Sequence, residues 1–91
     1  MIKIFYNSMV ACKHCAWAVS FMERYKFEYR TIDISQPDNK KEYEKAEDTL
    51  HNLKEDIGIL PFVMINDDVG FTGFPSTETE YKILEYINAI N

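Results

Sequence analysis

Residues 2–15 read IKIFYNSMVACKHC, and this stretch decides the fold. Residues 2–6 are rich in apolar and aromatic side chains at alternating positions, which is the pattern of a strand. From Lys13 to about Tyr25, apolar residues recur among helix-tolerant ones, and neither glycine nor proline interrupts them. The stretch therefore predicts a strand that gives way to a helix starting at or next to Cys12.

Cys12 and Cys15 are the only cysteines of the chain, and Lys13 and His14 separate them. A disulfide between them would close a very small loop, which the entropic model credits with about 2 kcal/mol, against nearly 5 for a loop of about 100 residues. Such a disulfide would add little to the stability of the fold. The spacing instead favours a reversible two-electron switch.

The composition indicates one compact domain over residues 1–91. The chain is 46% hydrophobic, and its 1 Trp, 6 Tyr and 6 Phe suffice for a packed interior. A net charge of −5 argues against nucleic-acid or anionic-membrane binding, which favours a basic face. No segment approaches the ~20 apolar residues of a membrane span, and the N-terminus lacks a signal-peptide core. We therefore expect a cytoplasmic monomer in a reducing compartment, where cysteine pairs are more often catalytic or metal-binding than structural.

The remaining pattern predicts five more elements. A second strand is expected at residues 27–34. It is followed by one amphipathic helix of about 18 residues, which ends at Gly58 and has an apolar stripe of Tyr43, Ala46, Leu50, Leu53 and Ile57. A buried strand should follow Pro61, with a hairpin turn at residues 66–68 and a short strand at 69–72. Last comes a helix with Ser76 or Thr77 as N-cap, a Thr77–Glu80 capping box, and an apolar stripe at Tyr81, Ile83, Leu84, Ile87 and Ile90. The order is β-α-β-α-β-β-α.

This order, with C-x-x-C at a helix start and a proline opening the third strand, resembles a glutaredoxin-type member of the thioredoxin superfamily. The resemblance covers nearly the whole chain. It implies an α/β, thioredoxin-like fold of three α/β/α layers, with a four-stranded mixed sheet and three helices. It also implies an enzyme, a thiol-disulfide oxidoreductase that acts on protein disulfides or glutathione mixed disulfides.

The resemblance assigns roles to individual residues. Cys12 becomes the nucleophile and Cys15 the resolving thiol. The Leu60–Pro61 bond is expected to be cis, with Pro61 against the disulfide and the backbone of Leu60 paired with the substrate. The other end of the substrate, or of glutathione as co-substrate, would lie beside the turn before the last helix, at Gly73, Phe74, Ser76 and Thr77. No bound cofactor or metal is implied.

Several positions depart from the glutaredoxin pattern. Lys13-His14 replaces the common Pro-Tyr, Met9 stands where a Lys is frequent, and Ile59-Leu60-Pro61 replaces Thr-Val-Pro. The turn Gly73-Phe74-Pro75 is similar to that of redoxins that supply electrons to ribonucleotide reductase and are reduced by thioredoxin reductase. The electron source is therefore either the glutathione and glutathione reductase system or thioredoxin reductase.

The pair must also favour the thiolate, because a free cysteine with a pKa near 8.5 is only about 3% ionised at pH 7. Amides at a helix N-terminus, the Lys13 cation, the Cys15 thiol and a protonated His14 would all stabilise the Cys12 anion. We expect Lys13 and His14 to favour the reduced form and to make the disulfide more oxidising.

Three other interpretations start from the same residues. Cys12, His14, Cys15 and His51 could be proposed as zinc ligands, but structural zinc normally draws on a second closely spaced pair, which is missing. The resemblance also allows an iron–sulfur cluster shared by two subunits, which would make the protein a metal or cluster carrier. A pair of buried, inert cysteines is the plainest reading. Trp17, one turn beyond the pair, is expected in the core.

Overall fold

A computed structural model describes residues 1–10, 13–53, 60–72 and 76–90, and of Lys13 it describes the backbone alone. The predicted order βαβαββα is confirmed, and a short 3-10 turn precedes the second helix. The elements are β1 (Ile2–Tyr6), α1 (Lys13–Arg24), β2 (Tyr29–Asp33), α2 (Lys40–Asn52), β3 (Phe62–Ile65), β4 (Val69–Phe71) and α3 (Thr77–Ile90).

The four strands form one mixed sheet in the order β2-β1-β3-β4. β1 is parallel to β2, with Ile2 opposite Tyr29 and Tyr6 opposite Asp33. β3 is antiparallel to both of its neighbours. Parallel strands need a crossover connection, and α1 supplies it between β1 and β2.

Helices cover both faces of the sheet, which gives the predicted three layers. The face under α1 and α3 is packed by Ile2, Ile4, Ala18, Phe21, Met22, Val63, Ile65, Ile83 and Ile87. The opposite face, under α2, is packed by Phe5, Ile32, Ala46, Leu50, Phe62 and Met64. Gly70 of β4 lets α2 approach closely, since a Cβ there would lie 2.3 Å from Cδ2 of Leu50.

The end of α1 explains why β2 is shorter than the predicted 27–34. Lys26 has a φ of 59°, its N–H donates to the carbonyl of Glu23, and the N–H of Phe27 donates to that of Met22. These two bonds form a Schellman motif, in which residues 26–27 terminate the helix and are not part of β2. β2 therefore begins at Tyr29.

The predicted turn between β3 and β4 is confirmed. Asn66 and Asp67 have φ values of 53° and 60°, and the N–H of Asp68 donates to the carbonyl of Ile65 at 3.1 Å. Positive φ at both central positions is the type I′ pattern, which Asn and Asp tolerate. The N-terminal ammonium of Met1 also donates to the side chain of Asn66.

The prediction of a continuous α2 of about 18 residues is wrong. The helix has 13 residues and ends at Asn52, and Leu53 is 44% exposed rather than part of the buried stripe. Ile57 and Gly58 lie outside the described residues. The three helices have 12, 13 and 14 residues. Within the described ranges, none is long and apolar enough to cross a membrane.

The predicted capping box at the start of α3 is also wrong. Ser76 is the N-cap, because its hydroxyl accepts the N–H of Thr79 at 3.3 Å. Thr77 is therefore already inside the helix, and its spacing to Glu80 no longer fits the box. The apolar stripe is narrower than expected as well, since Ile83 and Ile87 are buried but Tyr81 and Ile90 are exposed.

Candidate functional site

The strand register brings the candidate residues to one end of the sheet, which we call the cysteine edge. There β1 ends at Tyr6 opposite the end of β2 at Asp33. Antiparallel pairing sets the start of β3 at Phe62 beside Phe5 and the end of β4 at Phe71 beside Val63. Residues 7–10, residues 60–61 and the start of α3 therefore all adjoin this end.

Cys15 lies in the first turn of α1, beside the cysteine edge. It is half-buried and disulfide-bonded, while His14 next to it is exposed. Cys12 lies outside the described residues, as does the side chain of Lys13. The first turn of α1 contains no acidic residue, so no carboxylate there offsets the positive end of the helix dipole.

A groove of about 370 Å³ opens beside Cys15, between α1 and the first two strands. Most of its lining is apolar, and the residues that form it include Ile4, Tyr6, Cys15, Ala16, Val19 and Thr31. It lies toward β2, on the side of β1 away from β3 and Pro61. The protein surface on the β2 side of Cys15 is therefore mainly apolar.

Pro61 lies on the β3 side of β1, and its peptide bond with Leu60 is cis, which confirms that expectation. Pro61 is fully buried. The next residue, Phe62, stacks on Phe5 with ring centroids 4.7 Å apart, and Leu60 packs against the same cluster. This packing fixes the segment that precedes β3 relative to the end of β1.

The start of α3 is joined to the end of β4 by a side-chain bond. The hydroxyl of Thr79 donates to the carbonyl of Thr72 at 3.0 Å, and Ser76 is half-buried beside it. Thr77 is exposed. Gly73 and Phe74, which were predicted to contact substrate, lie outside the described residues.

Asp33 organises the cysteine edge, and the sequence reading did not single it out. One carboxylate oxygen accepts the N–H of Ser8 at 3.1 Å, and the N–H and hydroxyl of Ser35 at 3.0 and 2.8 Å. Its carbonyl accepts the side-chain amide of Asn39. Hydrogen bonds from Ser8 and Ser35 hold the pKa of the Asp33 carboxyl well below its usual range, although desolvation opposes them.

A sequence signal for part of this cluster exists. Asp33 accepts the backbone N–H two residues later, which is an Asx-turn, and Asp followed by Ser at that spacing is typical of one. The bond to Ser8 has no such signal, because the two residues are 25 positions apart.

Apolar side chains that precede and follow the cysteine pair in the sequence are exposed. Met9 is 81% exposed and Val10 61%. The expectation that Trp17 is core is wrong, since it is 54% exposed. The buried face of α1 centres on Ala18, and Trp17 is rotated about 100° from it because a helix has 3.6 residues per turn.

The described residues contain no cluster of three or more His, Cys, Asp and Glu side chains that could hold a metal ion. His14 is exposed on α1, and His51 is exposed in the last turn of α2. These two helices lie on opposite faces of the sheet. The zinc set considered from the sequence therefore draws on residues from two different layers.

Comparison with known proteins identifies the fold. No protein-family model matches the chain, and no curated protein matches it. The crystal structure of the glutaredoxin grx-1 from Archaeoglobus fulgidus is similar to it, with a TM-score of 0.65 and 22% sequence identity. The similarity covers 94% of this chain and 84% of that chain. The chain therefore has the thioredoxin-like fold found in a glutaredoxin.

Proposed function

We propose that this protein is a thiol-disulfide oxidoreductase that reduces protein disulfides or glutathione mixed disulfides through Cys12 and Cys15. One observation carries the proposal. The helix that carries Cys15 in its first turn lies at the same end of the sheet as the cis Leu60–Pro61 bond and the start of α3, in a fold shared with a glutaredoxin. A monomer in the reducing cytoplasm fits this role.

The first step is attack by the Cys12 thiolate on one sulfur of the substrate disulfide. A bond forms between Cys12 Sγ and that sulfur while the substrate S–S bond breaks. The departing sulfur leaves as a thiolate and takes a proton from water. The product is a mixed disulfide between the protein and the substrate.

In the second step the thiolate of Cys15 attacks Cys12 Sγ. The mixed disulfide breaks, the second substrate sulfur leaves as a thiolate, and the Cys12–Cys15 disulfide forms. The substrate gains two electrons and the cysteine pair loses two. Two glutathione thiols, which become oxidised glutathione, or thioredoxin reductase then return two electrons to the pair.

The start of α1 supports this chemistry because it favours an anion. Its first turn has no acidic residue, and Lys13 and His14 are the residues between the cysteines. Both would stabilise a thiolate through charge, in the case of His14 when it is protonated. The side chains at the start of this helix therefore leave its positive end available to Cys12.

The substrate class that we favour is a protein disulfide. Met9 and Val10, which precede the pair in the sequence, and Trp17, which follows it, are exposed, and the groove beside Cys15 is mainly apolar. A protein chain that flanks its disulfide with apolar side chains could bury this surface, whereas glutathione has few apolar atoms to offer.

A second candidate function differs from the first in the source of its electrons. One amide in the first turn of α3 already donates to Ser76, and Glu78 and Glu80 add negative charge in that turn. A carboxylate of glutathione would gain less there than at an unfilled helix start. This favours a redoxin reduced by thioredoxin reductase, with ribonucleotide reductase as an acceptor. Reduction assays with each donor system, run in parallel, separate the two.

The test of the oxidoreductase proposal is a pair of single-cysteine variants. Cys12→Ser should abolish disulfide reduction, because no nucleophile remains. Cys15→Ser should stop after the first step and accumulate mixed disulfides that mass spectrometry detects. Full activity in Cys12→Ser would refute the proposal. Absorbance and metal analysis of protein purified without oxygen test the cluster-carrier alternative, which requires a coloured, iron-containing protein.

A further inference from the structure

Residues 7–10, which we call the entry loop, connect β1 to the segment that begins the cysteine pair. Val10 is two positions before Cys12 in the sequence. Within the loop, the side chain of Asn7 accepts the N–H of Met9 at 2.9 Å, and its carbonyl accepts that of Val10 at 3.2 Å. These bonds are local, so they fix the shape of the loop but not its place on the protein.

Asp33 attaches the entry loop to the rest of the sheet. Its carboxylate accepts the N–H of Ser8, and the hydroxyls of Ser8 and Ser35 lie 3.1 Å apart. The N–H of Ile34 donates to the carbonyl of Tyr6 at 2.8 Å, which holds the two strand ends together at the same point. The loop is thus tied to a side chain from a different strand.

The main-chain carbonyl of Asp33 makes a separate set of bonds. It accepts the N–H of Gln36 at 3.2 Å and the side-chain amide of Asn39 at 2.9 Å. These bonds organise the turn before α2 and do not touch the entry loop. One residue therefore holds the loop through its carboxylate and the start of α2 through its carbonyl.

A carboxylate is an unexpected choice at this edge, because negative charge nearby disfavours a second anion. None of the described ion pairs involves Asp33, although lysines pair with acidic residues elsewhere. Its donors are neutral N–H and O–H groups. The carboxylate contributes one oxygen that accepts three hydrogen bonds at a fixed position. Its role at this edge is therefore geometric rather than electrostatic.

We propose that Asp33 is a positioning residue for the cysteine pair: it fixes the entry loop through Ser8 and so sets the reactivity of Cys12 toward an electrophile. This inference rests on the proposed function. It differs from a purely structural role, because loss of the carboxylate should change the reactivity of Cys12 by more than an equal disturbance of the turn before α2.

The test compares three variants by the rate at which iodoacetamide alkylates Cys12 in reduced protein at pH 7, followed by peptide mass spectrometry. Asp33→Ala should slow alkylation about tenfold, because a displaced entry loop weakens the stabilisation of the Cys12 thiolate by the start of α1, and a rise of about one unit in the thiol pKa lowers the thiolate fraction about tenfold. Asp33→Asn keeps an acceptor oxygen without the charge and should stay within about twofold, because neutral hydrogen bonds can replace the charged ones. Asn39→Ala removes only the side-chain hydrogen bond to the Asp33 carbonyl, and it should also leave the rate unchanged.

Three results would overturn the proposal. The first is alkylation of Cys12 in Asp33→Ala at the wild-type rate or faster. The second is an alkylation rate in Asp33→Asn as low as that in Asp33→Ala. The third is an alkylation rate in Asn39→Ala as low as that in either Asp33 variant. If Asp33→Ala does not fold, Ser35→Ala replaces it and should slow alkylation by a smaller factor, with an unchanged rate counting against the proposal. Alkylation requires no disulfide substrate. A wild-type protein that reduces no disulfide would therefore refute the proposed function, and the role of Asp33 would still be tested.

Discussion

Two aspartates at opposite ends of the sheet are held in different ways. Asp67 lies in the β3–β4 turn, where Lys3 Nζ donates to its carboxylate at 3.1 Å and Lys45 Nζ lies 3.7 Å away. Asp33 lies at the cysteine edge and is held by the neutral groups of Ser8 and Ser35. The pKa of each carboxyl is lowered, that of Asp67 mainly by Lys3 and that of Asp33 by hydrogen bonds alone.

This difference shows how the protein distributes its charge. Lysines pair with Asp67 at the β3–β4 turn, whereas none of the described ion pairs joins a lysine to Asp33 at the cysteine edge. None of the 15 acidic residues of the chain falls within residues 1–22, which include β1, the entry loop and most of α1. The basic residues next to the cysteines thus have no carboxylate neighbour in the sequence, so their charge remains available to a thiolate.

The largest expected effect comes from reversing one charge at the cysteine edge. Lys13→Glu should slow alkylation of Cys12 at pH 7 about tenfold, because replacing a cation by an anion at a helix start raises the thiol pKa by roughly one unit. The rate measured from pH 5 to pH 10 should show the same plateau as wild type, reached at higher pH.

Lys3→Glu is the matched control. It makes the same change in net charge, but in β1 and next to Asp67 at the other end of the sheet. It should lower stability while leaving alkylation within about twofold, because exposed charges more than about 10 Å apart are largely screened at 0.1 M salt. Equal slowing in the two variants would mean that net charge, rather than position, controls the thiolate.

The second effect concerns the other helix that starts at the cysteine edge. Ser76→Ala removes the N-cap of α3 and should lower the free energy of unfolding by about 1 kcal/mol. Urea denaturation measures it, with Ser20→Ala, an exposed residue within α1, as control. Because α3 does not carry the cysteines, alkylation of Cys12 should not change. A loss of thiol reactivity in Ser76→Ala would show that the two helix starts do not act independently.

The fold was predictable because local patterns agreed with each other. Strand alternation, the turn at residues 66–68 and the apolar spacing in α2 each pointed to the same order of elements, and the side-chain packing confirms them. Helix ends were less predictable. The Schellman motif at Lys26 uses a left-handed lysine rather than glycine, and the competition between Ser76 and Thr77 as caps depends on how α3 meets β4.

The site was predictable only where its signal is local in sequence. The cysteine spacing and the proline before β3 mark their own positions, whereas the bond between Ser8 and Asp33 joins residues brought together by parallel pairing. Trp17 was misassigned because a large aromatic residue is usually core, yet burial on α1 is set by the face that carries Ala18 and Phe21. Such contacts follow from tertiary structure, which composition and periodicity do not specify.

The smallest expected effect is the change in stability when either Asp33 or Asp67 loses its charge. For both aspartates the folded-state pKa is lowered, so each stabilises the protein above its unfolded pKa of about 3.9, and that contribution is lost as pH falls through the folded value. Asp33→Asn and Asp67→Asn should therefore be less stable than wild type at pH 7, and each difference should shrink as the pH falls below about 4. Urea midpoints at pH 7 and pH 3 measure it.

Salt should separate the two residues. The interaction of Asp67 with Lys3 is between opposite charges, of which Asp67 is exposed and Lys3 is partly buried, and at 1 M salt the screening length falls to about 3 Å. The destabilisation by Asp67→Asn at pH 7 should therefore decrease in 1 M sodium chloride. That of Asp33→Asn should persist, because its donors carry no net charge. An equal salt response in the two variants would mean that charge also holds the cysteine edge, and that the entry loop is anchored electrostatically rather than by the positions of the Asp33 oxygens.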